Sequence, residues 1–341
     1  MKGAYILVLY LPHHGHVGIG RLNDIFFKRG FYAYVGSAMG GLEARLKRHL
    51  QKRKKTHWHI DYFLRAAEII DVVIIETNIR IECSVASFLG KSYPAIRKFG
   101  ATDCKCNGHL FYLGKKRDSF NNLIEKGMLK ISGLQGLQDR KRASKIRGVL
   151  FDLDGTLTLP GAIDFPAIKR EMGCPIGVPI LEYIESQPEG QKERLWTILE
   201  RHEQRAAEIS LPNVNAEQCL KALKARGVRL GIITRNSASS VKKVLSKFQQ
   251  VKEDTFEAII TREMALPKPH PQGVEMAAKK MRITPLEMLV VGDYRFDIIA
   301  GKVVGAKTAL LKSPISVSDP DFDPIADYRI SKLMELVMLV A

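Results

Sequence analysis

Beyond Arg147 the apolar residues gather in short runs within 148–151, 229–233, 257–260, 288–291 and 307–311. Between them lie stretches with apolar positions at helical spacing. Such runs, rich in Val, Ile and Leu, suit strands buried on both faces. Their alternation with helical patterns predicts an α/β architecture, a parallel sheet covered by helices on both sides. In such sheets ligand groups collect beyond the carboxyl ends of the strands. Asp152, Thr234 and Asp293 each follow a run and so take that place. About eighty residues separate the first two runs, far more than one crossover needs. Helical spacing over 165–172, 180–186 and 191–208 fills much of that gap and predicts a small helical insert at about 160–215.

The first third of the chain has a different texture. Gly3 to Tyr10 reads as a strand and Phe31 to Val35 as another. The second enters a glycine-rich turn, Gly36 to Gly41, and then a helix in which Leu42, Leu46 and Leu50 form a buried stripe. Arg45 and His49 are also four apart, on the adjoining face. Glycines and the basic run Arg140-Lys141-Arg142 mark 117–145 as a linker. It would join a small α/β domain over 1–116 to the larger one over 146–341. A length of 341 residues fits two cores better than one.

Charge separates the two parts further. The chain carries a net +17. Residues 1–145 hold 26 Lys+Arg against 11 Asp+Glu, and residues 146–341 hold 27 against 25. The excess therefore lies in the first part, which is suited to meet a polyanion, nucleic acid foremost. A solvated basic face that only aids solubility is the plainer alternative. The apolar run Ala4 to Leu11 is too short to span a bilayer and lacks the flanks of a secretory signal. A cytoplasmic protein with no membrane partner is expected.

The segment Phe151-Asp152-Leu153-Asp154-Gly155-Thr156 carries the most chemistry. Two acids alternating at a strand tip leave it on one side, and a divalent cation relieves their repulsion. Downstream stand Thr234 with Asn236 close behind, Lys268 between two prolines, and Asp293 with Asp297 four residues on. Singly these read as a helix cap, a solvated lysine and a cap beside a surface charge. Together and in this order they resemble the four motifs of the haloacid dehalogenase (HAD) superfamily. The resemblance implies a Rossmann-like parallel-sheet core with a small helical cap, acting as a Mg²⁺-dependent phosphatase on a phosphorylated small molecule. It makes Asp152 the nucleophile and Asp154 the acid and then the base. Thr234 and Lys268 would hold the phosphoryl oxygens. Asp152, the Asp154 carbonyl and Asp293 would hold Mg²⁺, with Asp297 in support. Phosphoglycolate, a nucleotide and a sugar phosphate all fit. In the cap, Arg194, Arg201 and Glu203 are candidate selectors.

Gly3-Ala4-Tyr5 and Tyr34-Val35-Gly36, followed by Arg45 and His49, resemble the GIY-YIG nuclease superfamily over residues 1–114. The segments His57-Trp58-His59-Ile60-Asp61-Tyr62 and Asp103-Cys104-Lys105-Cys106-Asn107-Gly108-His109-Leu110 resemble a little-characterised prokaryotic subfamily of it. The resemblance implies phosphodiester cleavage by a tyrosine (Tyr5 or Tyr34), Arg45 and a metal-bound glutamate. His49 matches the family's helical histidine. By position Glu82 is the glutamate, holding Mg²⁺ or Mn²⁺. The two motifs stand about 29 residues apart, where the family has about ten, so Pro12 to Gly30 form an insertion with His13, His14 and His16. Glu82 also lacks the flanking pattern of the repair and homing nucleases. A module that binds nucleic acid without cutting it is the alternative.

Five cysteines, an odd number in a long chain, argue against a disulfide framework. Cys104-x-Cys106-x2-His109 admits Zn²⁺, with Cys83 or a histidine as fourth ligand. The spacing is tighter than in the usual zinc fingers, and buried reduced cysteines are the plainer reading. His57 and His59, two apart, are expected on one face of a strand, as a metal edge, a phosphate contact or a satisfied structural pair.

Overall fold

The structure, a computed structural model, describes residues 1–51, 54–116, 120, 145–312 and 326–340. The described residues divide into two compact units, one over 1–120 and one from 145 onward. The linker expected over 117–145 lies outside the described residues apart from Phe120 and Lys145.

The first unit contains strands β1 (Gly3–Leu11), β2 (Gly15–Gly18), β3 (Asp24–Phe27), β4 (Gly30–Ala38), β5 (Glu68–Glu76) and β6 (Leu110–Gly114). Four of them form an antiparallel sheet in the order β5-β1-β4-β6. Side chains alternate across it. Ala4, Ile6, Val8, Ala33 and Val35 pack on one face against Val85, Ala86 and Leu89 of helix α3 (Glu82–Leu89). Tyr5 and Tyr34 therefore belong to the other face, which meets helix α1 (Leu42–Leu50). The insertion over 12–30 folds as an antiparallel ribbon of β2 and β3, anchored by Phe27, whose ring lies 4.6 Å from that of Phe63.

One expectation here is overturned. His57 and His59 do not share a strand, because His59 opens the short helix α2 (His59–Phe63). The cause is Asp61, whose Oδ2 accepts the N–H groups of His57 (3.0 Å) and Trp58 (2.9 Å) and so bends the chain into a helical turn. His59 Nδ1 accepts the Gly100 N–H at 3.0 Å, which makes it a structural tie.

The second unit holds a six-stranded parallel sheet in the order β12-β11-β10-β7-β8-β9. Its strands are β7 (Gly148–Phe151), β8 (Arg229–Ile233), β9 (Ala258–Ile260), β10 (Met288–Gly292), β11 (Lys307–Leu311) and β12 (Tyr328–Ile330). Between β7 and β8 the helices α4 (Phe165–Met172), α5 (Ile180–Ser186) and α6 (Glu189–Ile209) form a cap with an apolar core of its own, including Ile168, Ile184 and Leu199. The chain leaves and re-enters the sheet along paired segments. Leu159 N–H donates to the Leu211 carbonyl at 2.9 Å, and Asn213 N–H to that of Leu157 at 2.8 Å. Helices α7 (Ala216–Ala225), α8 (Ala238–Leu245), α9 (Gln272–Lys280), α10 (Arg295–Val303) and α11 (Glu335–Leu339) complete the unit. Among the described residues no helix is long and apolar enough to cross a membrane.

Candidate active site

Three adjacent strands of the parallel sheet deliver one cluster. Asp152 follows β7, and its N–H donates to the Val291 carbonyl of β10 at 2.8 Å. Thr234 follows β8 on one side, and Asp293 follows β10 on the other. Asp297 lies in the first turn of α10, where its Oδ2 accepts the Tyr294 N–H at 3.3 Å. Two glycines permit this crowding. A Cβ on Gly155 would lie 2.2 Å from Asp293 Oδ2, and one on Gly292 would lie 2.2 Å from Asp297 Oδ2. Gly155 also has a φ of 73°, which an L side chain resists.

Lys268 is 3% exposed and sits in the midst of the acids. Its Nζ donates to Asp152 Oδ1 at 2.6 Å, Asp297 Oδ1 at 2.5 Å and the Ile233 carbonyl at 3.0 Å. All three ammonium hydrogens are thereby used. Burial works against its charge, but Asp152 and Asp297 outweigh burial and hold its pKa above the usual lysine value. Asp152, Asp293 and Asp297 each offer a carboxylate oxygen, and these oxygens lie within 4.8 Å of one another. Burial pushes Asp293 up, and the charges of Asp152 and Asp297 push it further. Burial likewise raises Asp297, against the pull of Lys268. Three acids facing one lysine leave negative charge in excess, and a donor set made only of oxygens fits Mg²⁺.

Asp154 stands apart from that cluster. Its Oδ2 accepts from Asn236 Nδ2 at 2.6 Å, which leaves the backbone carbonyl for the metal role expected of this residue. Burial, then the charge of Asp152, push its carboxyl up to about 6. Thr234 is buried, and its Oγ1 accepts the Asn236 N–H at 3.1 Å, so the hydroxyl hydrogen is left to donate elsewhere. Asn236 thus positions both neighbours. Its spacing two after Thr234 was the only sign of this in the sequence. Of the expected cap selectors, Glu203 is buried and paired with Arg262, Arg201 pairs with Glu171 at the surface, and Arg194 is exposed. Arg235, which no motif marks, clasps Glu182 of α5 at 2.6 and 3.1 Å.

The first unit gathers its own group on the tyrosine face of the sheet. The rings of Tyr5, Tyr34 and His49 lie 5.5 to 6.5 Å apart, centroid to centroid. Gly36 pairs with Tyr5 across the strands, and a Cβ there would lie 2.4 Å from the Tyr5 hydroxyl, so the motif glycine makes room for the ring. The Tyr5 hydroxyl is 2.7 Å from His49 Nε2. Burial, then the charge of Lys54, push His49 down to about 3, so its ring is neutral and shares one hydrogen bond with the Tyr5 hydroxyl. Burial raises Tyr5 well above the usual phenol value. The guanidinium of Arg45 packs 4.1 Å from the centre of the Trp58 ring and that of Arg48 4.0 Å from it. Arg48 is bound twice by Asp61, at 2.8 and 2.9 Å. No carboxylate pairs with Arg45 among the described residues. Glu82 Oε1 accepts from His109 Nδ1 at 3.0 Å, and His109 belongs to a cluster with Cys83, Cys104 and Cys106.

A family model described as haloacid dehalogenase-like hydrolase matches residues 146–305. An uncharacterized hydrolase of Saccharomyces cerevisiae is 32% identical over 216 residues, which cover 62% of this chain and 96% of that protein. The chain belongs to the haloacid dehalogenase-like hydrolases. Its HAD part is also similar to a haloacid dehalogenase-like hydrolase domain-containing protein of Arabidopsis thaliana, at 30% identity over 58% of this chain and 84% of the relative. Pyrophosphatase PpaX of Oceanobacillus iheyensis is 28% identical over 57% of this chain and 97% of the relative. The HAD unit is accordingly a hydrolase of phosphate esters. A second family model, a domain of unknown function designated DUF123, matches residues 4–130 and places a GIY-YIG-like domain ahead of the HAD unit.

Proposed function

We propose that the HAD unit is a Mg²⁺-dependent phosphatase that works through an aspartyl-phosphate on Asp152. The Lys268 ammonium held between Asp152 and Asp297, with Asp293 alongside, carries this reading. Asp152, Asp293 and the Asp154 carbonyl would hold Mg²⁺, which when bound offsets negative charge on the phosphoryl group. Asp152 attacks phosphorus, and the ester oxygen leaves with the proton of Asp154. Asp154, now a carboxylate, takes a proton from water as that water attacks the aspartyl-phosphate, which frees inorganic phosphate and restores Asp152. Thr234 donates to a phosphoryl oxygen, and Lys268 neutralises another. Phosphate release across a panel of phosphoglycolate, nucleotides, sugar phosphates and pyrophosphate, with and without Mg²⁺, tests this. Release that is unaffected by chelation of Mg²⁺ would refute the metal role.

For the basic first unit we propose binding to nucleic acid, with phosphodiester cleavage by Tyr5, Arg45 and His49. The short Tyr5–His49 contact supports cleavage, since it anchors the phenol oxygen that would meet the phosphodiester. Binding without cutting is favoured by a separate observation: Glu82, the expected Mg²⁺ or Mn²⁺ ligand, is engaged by His109. Binding should weaken steeply between low and moderate salt, as counterion release requires. An affinity flat in salt would point to another ligand.

A further inference from the structure

We propose that Cys83, Cys104, Cys106 and His109 form a Zn²⁺ site in the first unit, with Glu82 as the carboxylate that orients the histidine. The proposal is independent of either hydrolytic reading. The four ligand atoms lie within 4.8 Å of one another. Cys104 Sγ is 3.5 Å from His109 Nε2. Tetrahedral zinc with bonds of about 2.3 Å to sulfur and 2.0–2.1 Å to nitrogen sets that edge at roughly 3.5 Å. The site thus needs little rearrangement along that edge.

The histidine is oriented as a ligand should be. His109 is 2% exposed, with Nε2 toward the thiols and Nδ1 against Glu82 Oε1 at 3.0 Å. A carboxylate behind a metal-bound histidine fixes the tautomer that leaves the far nitrogen free to coordinate. Two of the four residues, Cys83 and His109, come from well-held backbone. Cys83 is in the first turn of α3. Cys104 and Cys106 sit on the segment of twenty residues between α3 and β6. That segment folds back on itself, with His109 N–H donating to the Phe99 carbonyl and Ile96 N–H to that of Leu110, each at 2.7 Å. Gly108 permits the fold, since a Cβ there would lie 2.1 Å from the Ile96 carbonyl oxygen. Loops of this length without secondary structure are uncommon in compact domains, and a metal that ties the loop to α3 supplies the missing restraint. Three thiols and one imidazole are donors that select zinc over Mg²⁺ or Ca²⁺. Binding releases the three thiol protons and uses the Nε2 lone pair.

The site also bears on the tyrosine face. Glu82 acts electrostatically on Tyr5 and Tyr34, so a metal that fixes His109 fixes the position of one of their charged neighbours.

The full chain, purified without chelator and under reducing conditions, should carry one zinc per chain by elemental analysis. After its removal, Co²⁺ should give the visible bands of tetrahedral coordination with thiolate-to-cobalt charge transfer in the near ultraviolet. Cys104→Ser and Cys106→Ser should each lower metal affinity at least about a hundredfold while phosphate release by the HAD unit stays within twofold. Glu82→Gln should keep one site but weaken it roughly tenfold to a hundredfold. The cobalt spectrum of the wild type guards against variants that merely misfold. Octahedral cobalt bands, a Cys104–Cys106 disulfide in the reduced protein, or full zinc retention in both serine variants would each overturn the site.

Discussion

The two units hold their reactive groups in opposite ways. In the HAD unit Asp152, Thr234, Asp293 and Asp297 each stand just past a strand end or in the first turn after one, with Lys268 reaching in from the loop before α9, and backbone fixes the position of the acids. In the first unit the groups lie in the middle of a sheet face and on a neighbouring helix, and side-chain packing fixes them. The HAD cluster is crowded with charge: Lys268 is held by two acids, and burial raises the other carboxyls. The tyrosine cluster is nearly neutral at its centre, with Tyr5 protonated, His49 uncharged and Arg45 at the edge. A charged site built for attack on phosphorus should fail outright when its nucleophile is removed. A neutral one should respond to changes in packing as much as in charge.

The largest effect is therefore expected at Asp152. Asp152→Asn keeps the shape and removes the nucleophile, so phosphate release should fall at least about a thousandfold. Melting of the HAD unit should move little or upward, because the variant also lowers the repulsion among Asp152, Asp293 and Asp297. A residual rate above a few per cent would dismiss Asp152 as the attacking group.

Next comes Arg45. If the first unit cuts, Arg45→Ala should lower cutting by roughly a hundredfold to a thousandfold, as for other groups that stabilise developing negative charge. Binding should fall only a few fold, since one cation among many is lost. Equal losses in binding and cutting would make Arg45 an ordinary phosphate contact. Phosphate release by the HAD unit should not change, and a loss there would show that the units are coupled.

The contrast also explains what could be read from the sequence. Strands buried on both faces announce themselves as apolar runs, so 148–151, 229–233 and 307–311 coincide with β7, β8 and β11. The polar residue after each of the first two runs, Asp152 and Thr234, then falls at the site without further information. β12 was missed because three residues at a sheet edge, only one of them buried, leave too little pattern. The β2–β3 ribbon was hidden for the same reason, with mostly exposed or half-buried residues. In the first unit Tyr5, Tyr34, Arg45 and His49 could be named from motif resemblance, but the contact between Tyr5 and His49, 44 residues apart, could not. Cys83 and His109 meet only because the segment between them folds back, and no local periodicity records that. Asp61 turned an apparent strand into a helix through one carboxylate that caps two N–H groups.

Packing at the tyrosine face is tested by Gly36→Ala. The added methyl would lie 2.4 Å from the Tyr5 hydroxyl, inside a buried sheet. Overpacking of this kind costs about 1–3 kcal/mol, and for a unit of this size each kcal/mol lowers Tm by roughly 4–8 °C. Calorimetry of the full chain should show one transition lowered and the HAD transition unmoved. Adding Tyr5→Phe removes the hydroxyl but keeps Cζ, which the methyl also meets at 2.4 Å, so only a small part of the loss should be recovered and cutting should not return. Full recovery would mean that the clash is with the hydroxyl alone.

The smallest effect expected is a change in rate with pH, and it isolates Asp154. Its carboxyl titrates at about 6, raised first by burial and then by the charge of Asp152. Only the protonated form can give a proton to the leaving oxygen, so this activity should be complete well below pH 6, half lost at about 6, and roughly fivefold lower again at pH 7 where chemistry limits the rate. An alkyl phosphate needs that proton, because an alkoxide leaves poorly. An aryl phosphate with an acidic phenol does not. The ratio of alkyl to aryl kcat should therefore fall as pH rises through 6, even while other groups titrate in both profiles and cancel. Asp154→Asn should flatten the ratio at its low, high-pH value, since an amide has no proton to give at any pH. A ratio that stays level from pH 5.5 to 7.5 in the wild type would take the acid role away from Asp154. The site would then have to find its proton in solvent, and the Asn236 contact would serve only to hold the loop that carries Asp154.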